Sequence, residues 1–264
     1  MFRYYYLNII FILFLFLTNI NAHDCKTFDE VKQIVTTQLT KPISIIDSSI
    51  SLEEAYCTQE KVNYLTKKKY DDKVGYKVGF TGKSTQKRFN IDTPAIGTLY
   101  KHMFIENNGI LNFEFGYRPL IEPDLMVIIN SDEIMQAKSN EEIFKYIASV
   151  HPFIEIPALR FDPETKITGN MLVAVNMLAT KMVVGDGIII NHNKTSFEDL
   201  KNIKSNFYEN DVSNLIQTAQ TSNLMGSPID VLRWLINFLN SRGETLEKGD
   251  MISLGSLGKL FPLK

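Results

Sequence analysis

Glu122 and Asp124 stand two residues apart in the stretch PLIEPDLMVII, at the entrance to an apolar, β-branched run. Alternate residues of a strand share a face, so the two carboxylates point the same way. Held side by side they repel unless a proton or a cation lies between them, and beside a core they are costly without a partner. A hard divalent ion takes oxygen ligands of this kind, with water and substrate completing its shell. Glu155, alone among apolar neighbours in HPFIEIPALRF, offers a third carboxylate. Residue pattern alone leaves three readings open: a metal site, acids along a solvated strand face, or partners for Arg118 and Arg160.

The elements that must hold these acids follow from periodicity. Residues 27–70 look helical, with Phe28, Val31, Ile34 and Val35 at helical spacing and Pro42 separating two helices. SLEEAYCTQEKVNYL opens on Ser51 with Glu54 three residues on, a capping-box pattern. From Lys73 the texture turns to short β-rich runs punctuated by glycine: VGYKVGF, GTLYKHMFI, GILNFEFG, LMVIIN and KMVVGDGIII. A helix is predicted over Asn140–Val150, stopped by Pro152. Another is predicted after Ser227 and Pro228, with Gly243 beyond its end and Ile229, Leu232, Leu235, Ile236 and Leu239 as its buried stripe. Helices first, then strands with occasional helices, argue α+β with a mainly antiparallel sheet or roll. No Walker, GxGxxG, HExxH or GxSxG pattern occurs, so most standard enzyme classes lack support.

The chain has 264 residues and a formal net charge of −2, which gives no support for a nucleic-acid partner. The basic run TKKKY (Thr66–Tyr70) reads as a solvated helix end. Residues 1–22 carry a short positive start, the apolar run Ile9–Leu17 and the small residue Ala22, the pattern of a secretory signal peptide. That run is too short to span a bilayer, so the expectation is export to a periplasm or beyond, with no stable membrane span after cleavage. The expected division is signal peptide 1–22, helical region 23–72 and β-roll domain 73–264. Cys25 and Cys57 are the only cysteines, and an oxidising compartment predicts a bridge between them. Such a loop would add roughly 3–4 kcal/mol in the chain-entropy model; two unpaired thiols are the alternative.

Taken in order, the blocks GYKVGFTGKSTQKRFNIDTPAIGTLY, LIEPDLMVII, HPFIEIPALRF and MGSPIDVLRWLINFLNSRGETLEKGDMISLGSLG resemble the 2-keto-4-pentenoate hydratases and 4-oxalocrotonate decarboxylases of the fumarylacetoacetate hydrolase superfamily. The resemblance covers most of residues 51–263. It implies a β-roll of the superfamily's C-terminal type, here lacking the family's last strands. It also implies Mg2+ or Mn2+ held by an E-x-E pair and a later Glu, falling on Glu122, Asp124 and Glu155. The family lysine of the KVG strand falls on Lys77, where an ammonium can hold a 2-keto acid's carboxylate or stabilise an enolate. Without the resemblance, a strand lysine reads as a snorkelling surface residue. The implied partner is a small 2-keto or 2-hydroxydienoic acid. Its metal-assisted hydration would move a proton to C5 and add water at C4; the decarboxylases use the same electron sink to lose CO2.

Three segments depart from the family pattern, at four positions that all go from polar to apolar. Ala95 replaces an acid, VNML replaces DNAS so that Asn176 is kept while Val175 and Leu178 stand for Asp and Ser, and Leu254 replaces a Thr. Losing a positioned acid or base forfeits about 10²–10⁴ in rate; His102 and His151 are candidate substitutes. A catalytically silenced binding relative on the same fold is therefore the competing reading, and hydrolysis of an acylpyruvate is a third, for which no water-activating base is evident. An exposed sheet edge where the last strands are missing would have to be covered, paired with another subunit in a homo-oligomer, or tolerated as a liability.

Overall fold

A computed structural model describes residues 25–70 and 72–263; the signal peptide expected over 1–22 lies outside them. The helices α1 (Phe28–Thr36) and α2 (Leu52–Lys69) each open on a reciprocal capping box, Thr27 with Glu30 and Ser51 with Glu54. These boxes satisfy orphan N–H groups that would otherwise fray the first turn. Lys67, Lys68 and Lys69 are exposed on the last turn of α2, where cations complement the helix dipole. The expected disulfide joins Cys25 to Cys57 and ties the first described residues to α2.

The remaining elements are β1 (Lys73–Gly79), α3 (Lys83–Arg88), β2 (Ala95–Tyr100), β3 (Phe104–Ile105), β4 (Leu120–Ile129), α4 (Asn140–Lys145), β5 (Ile147–Ile156), α5 (Gly169–Ala174), β6 (Lys181–Val184), β7 (Ile188–Ile189), α6 (Phe197–Lys201), β8 (Lys204–Tyr208), β9 (Leu215–Gln220), α7 (Pro228–Ser241), β10 (Met251–Ser256) and β11 (Phe261–Pro262). The main sheet runs β2-β1-β10-β4-β5-β6-β3, with β11 on β4 and β7 on β5. Among the described pairings only β1 with β10 and β3 with β6 are parallel. The result is the expected α+β architecture with a curled, mainly antiparallel sheet.

One face of this sheet forms the core. Tyr76, Val78, Leu125, Val127, Ile252 and Leu254 share a buried cluster with Ile229, Leu232, Leu235, Ile236 and Leu239 of α7, the stripe that its periodicity predicts. Each fully buried side chain of this size contributes about 1.5–3 kcal/mol. The opposite face carries a smaller cluster of Leu99, Met126, Phe153 and Met182, and the acids lie beside it.

Three expectations need correcting. The helix from Asn140 stops at Lys145, and Ile147–Val150 open β5, which runs through Pro152 to Ile156. Pairing of Ile147 with Ile129 and Val150 with Val127 outweighs local helix preference. Pro152 is tolerated because it sits between the stretches of β5 that pair with β7 and with β6, where no second strand needs its missing N–H. GILNFEFG is irregular rather than β, with one 3-10 turn at Phe113–Phe115 and Ile110 fully in solvent. Phe28 is half exposed, leaving Val31 and Ile34 as the buried residues of α1. The polar hairpin β8–β9 has no clear signature in the sequence.

Candidate functional site

Strand register assembles the site. Glu122 on β4 lies directly opposite Glu155 on β5, and Asp124 opposite Phe153. Lys77 on β1 pairs with Ser253 on β10, which in turn pairs with Met126 on β4, so the lysine and the acids share one face. All four are between 1% and 7% exposed, too buried for water to solvate their charges. The reading of Lys77 as a snorkelling surface residue therefore fails.

The Lys77 ammonium makes an ion pair with Glu155 Oε1 and donates to the Met177 carbonyl at 3.2 Å. Asp124 accepts from the Ser253 hydroxyl at 2.7 Å and from the Leu125 N–H at 2.6 Å. Glu122 Oε2 is buried and has no hydrogen-bond partner among the described residues. Burial pushes the Glu122 carboxyl up to about 8; Glu155 across the ladder and Asp124 beside it add repulsion, while Lys77 and the Ser256 hydroxyl pull the other way. Burial likewise lifts Asp124 to about 7, opposed mainly by its hydrogen bond from Ser253.

Two local devices shape this floor, and sequence reading found neither in full. The β10–β4 ladder steps from Ser253 opposite Met126 to Ser256 opposite Asp124, three residues against two. Such a bulge turns both serines to one face, and Gly255 enables it with φ +98°, where a Cβ would come within 2.7 Å of the Val78 carbonyl. The serine-glycine-serine-like run SLGS was the available signal. The second device is the turn Asn176–Met177–Leu178, three consecutive non-glycine residues with φ of 57°, 53° and 55°. Left-handed backbone costs roughly 1–2 kcal/mol per residue, and such strain collects where geometry serves a site. The Asn176 side chain pins the turn to Thr98, accepting its N–H at 2.6 Å and donating to its carbonyl at 2.9 Å. Gly97 lets the turn press close, since a Cβ there would sit 2.8 Å from the Asn176 carbonyl. This close approach aims the Met177 carbonyl at Lys77.

Lys77, Glu122 and Glu155 line a cavity of about 530 Å³, whose walls include Phe80, Leu159, Met177 and Leu178. Asp124 stands behind this lining. Of the four apolar replacements, only Leu178 faces the cavity; Ala95, Val175 and Leu254 are buried in the main core cluster. His151 is held between the Ser149 hydroxyl at 2.8 Å and the Gly185 carbonyl at 3.0 Å, and His102 stacks on Tyr70, so neither histidine borders the cavity. Arg160 donates to the carbonyls of Ile34, Thr37 and Lys41 and so closes the end of α1, leaving the acids without it.

Among the described residues, no group of three His, Cys, Asp or Glu side chains converges at ion-holding distances. The reason is local: Lys77 occupies Glu155, while Ser253 and Leu125 engage both oxygens of Asp124. The donor set nonetheless fits a hard cation. Two facing glutamates border the cavity, one with an unpartnered buried oxygen, and hard divalent ions take oxygen ligands of this kind.

No family model matches the chain. The curated 2-keto-4-pentenoate hydratase 1 of Dechloromonas aromatica (strain RCB) is 23% identical over 191 residues, 72% of this chain and 70% of that protein. The 2-oxo-hept-4-ene-1,7-dioate hydratase of Escherichia coli is 24% identical over 229 residues, 85% of this chain and 84% of that protein. The 4-oxalocrotonate decarboxylase of Pseudomonas putida is 21% identical over 208 residues, 79% and 76% of the two chains. Among solved structures, 4-oxalocrotonate decarboxylase from Pseudomonas putida G7 complexed with magnesium and adipate superposes with a TM-score of 0.75 at 19% identity, covering 90% of this chain and 89% of that one. The same enzyme complexed with calcium and acetate gives 0.73 at 18% identity, with the same coverage. The chain shares the fumarylacetoacetate hydrolase-type fold of that decarboxylase. Its curated homologues are named 2-keto-4-pentenoate hydratase and 4-oxalocrotonate decarboxylase, which bears out the resemblance read from its motifs.

Proposed function

We propose that this protein is an exported, divalent-metal-dependent lyase that hydrates or decarboxylates a small 2-keto or 2-hydroxydienoic acid. One observation carries the proposal: a buried Lys77–Glu155 pair faces Glu122, with its unpartnered oxygen, across the floor of a cavity. Mg2+ or Mn2+ held by Glu122 and Glu155, with Asp124 joining when it releases Ser253, would supply Lewis acidity to the substrate's 1-carboxylate and 2-oxygen. The chain's own groups do the rest. Lys77, steered by the Met177 carbonyl and Glu155, sets a positive charge where an enolate develops. The walls formed by Phe80, Leu159 and Leu178 hold the apolar part of the acid. Proton exchange at the remote carbon falls to solvent entering at the mouth, because neither histidine borders the cavity.

Loss of the dienoate absorbance of 2-hydroxypenta-2,4-dienoate, followed with Mg2+ or Mn2+ and with chelator, tests this reading. Turnover that chelator abolishes is expected; turnover indifferent to chelator contradicts it. Metal binding without turnover favours the second reading, a silenced relative, which the apolar Leu178 on the cavity wall supports. Export rests on the 1–22 pattern and agrees with the Cys25–Cys57 bridge. A secreted product whose mass begins at His23 is the expected result.

A further inference from the structure

Away from the cavity, α1 and α2 lie side by side with a surface groove of about 610 Å³ between them. Val35 and Leu65 are its half-buried apolar residues. Two exposed rings border it, Phe28 and Tyr64, packed edge to face with centroids 5.6 Å apart. Its cations are Lys32, Lys68 and Lys69, all exposed and none in an ion pair among the described residues. Lys69 donates to the Val35 carbonyl at 3.1 Å and lies over the exposed Tyr70 ring at 4.7 Å. Asp29 is the single acid in this lining among the described residues. Two further acids nearby are already paired, Glu30 with Lys26 at 3.4 Å and Asp72 with Lys67 at 3.2 Å. The whole chain has a formal net charge of −2, so the cations are gathered here rather than spread evenly.

The amino-terminal chain joins the molecule at the same place. The described residues begin at Cys25, which the disulfide fastens to Cys57 of α2. The Lys61 ammonium donates to Cys25 Sγ at 3.1 Å and lies over the Phe28 ring at 5.7 Å. The segment that carries the apolar run Ile9–Leu17 therefore enters beside the groove. Among the described residues, no helix is long and apolar enough to cross a membrane.

We propose that this face of α1 and α2 docks on an anionic lipid bilayer and keeps the mature protein at the membrane surface without spanning it. Three unpaired lysines match a negatively charged leaflet, which attracts cations held near it. Phe28 and Tyr64 suit the boundary between headgroups and acyl chains, where an aromatic ring buries its body and, in tyrosine, keeps its hydroxyl wet. The lysine stems can lie along Val35 and Leu65 while their ammonium groups reach the headgroups. A merely solvated helix end would account for the lysines but not for the two exposed rings and the apolar groove between them. While residues 1–22 are attached, their apolar run brings this same face to a bilayer; after cleavage the lysines and rings retain it there. The groove shares no lining residue with the cavity of Lys77, so docking leaves that cavity open to its substrate.

Vesicle sedimentation tests the surface, with the protein beginning at His23 and its disulfide intact. One set of vesicles is phosphatidylcholine alone and the other equal parts of phosphatidylcholine and phosphatidylglycerol. The protein should bind the anionic set at least about tenfold more tightly than the neutral set, and added salt should weaken that binding. The K32E/K68E double variant should lose at least about tenfold in affinity for the anionic vesicles. Tyr64→Ser should lose less and keep the salt dependence. All three positions are exposed, so these variants should melt with the unaltered protein. Equal binding to both sets, binding to neither, or undiminished binding by K32E/K68E would overturn the proposal.

Discussion

Of two clefts among the described residues, the one of about 750 Å³ is a poorer candidate for a site than the one of about 530 Å³. A space of about 750 Å³ opens between α2, β1, β2 and the loop after α7. Most of its charges already have partners: Arg242 bridges Glu60 and Glu244, the Tyr76 hydroxyl donates to Glu244 at 3.0 Å, and Lys73 reaches Asp250 at 4.0 Å. The unpartnered atom there is a neutral one, Asn63 Oδ1. In the smaller cavity of about 530 Å³, a buried carboxylate oxygen of Glu122 lacks a partner, Glu122 and Glu155 crowd Lys77 with Asp124 behind them, and Arg88 and Arg118 have no acid in any ion pair among the described residues. Volume does not separate these clefts; uncompensated charge does, because a fold holds such charge at a cost that a ligand can relieve.

The contrast breaks most directly at Glu155. Glu155→Gln should lower Mg2+ affinity by at least about 100-fold, beyond what is typical of outer-shell partners. Because it removes half of a buried ion pair, it should also cost about 3–5 kcal/mol of stability. Calorimetry and thermal melting read the two effects separately. Lys77→Met should cut kcat/KM by about 10²–10³ through loss of charge stabilisation while Mg2+ still binds; an equal loss of metal affinity would show that the lysine only supports the fold. Next in size is a pH effect. The Glu122 and Asp124 carboxyls stand at about 8 and about 7, above ordinary values of 4.5 and 3.8. A raised folded-state value means that folding takes up protons, so this contribution is full at low pH and lost as pH rises through that window. Metal-free protein should therefore melt several degrees lower at about pH 9 than at about pH 6, and saturating Mg2+ should narrow the gap. Smallest is the effect in the larger cleft: Arg242→Gln should cost about 1 kcal/mol through lost surface pairing and packing on Tyr56 and Phe238, with kcat unchanged.

Much of this was legible in the sequence where one local rule decided the outcome. Ser51 with Glu54, and Ser227 with Pro228, mark helix starts through backbone chemistry that acts within one turn. Glu122 and Asp124 share a face because a strand alternates. The facing of Glu122 with Glu155 was not legible, since it depends on a register set by the whole β4–β5 ladder. The same ladder turned Ile147–Val150 from helix to strand. Ser253 and Ser256 look like neighbours on opposite faces until the Gly255 bulge is seen to rotate one of them. Ala95 and Leu254 read as altered catalytic positions, yet both are packed in the core and only Leu178 reaches the cavity. Residue type announces chemistry; which face a residue takes is settled by distant partners.

Glu122 offers the sharpest test, because the fold and the site want opposite things from it. Exchange of its crowded carboxylate, one oxygen of which lacks a partner, for an amide should relieve repulsion and raise the melting temperature of the metal-free protein near pH 8. The same exchange should weaken Mg2+ binding by about tenfold or more. The decisive measurement is therefore a calorimetric Mg2+ titration of Glu122→Gln beside the unaltered protein, each paired with a melt. A more stable protein that has lost the ion is the predicted result. Unchanged Mg2+ affinity in the variant would mean that these carboxylates hold no metal.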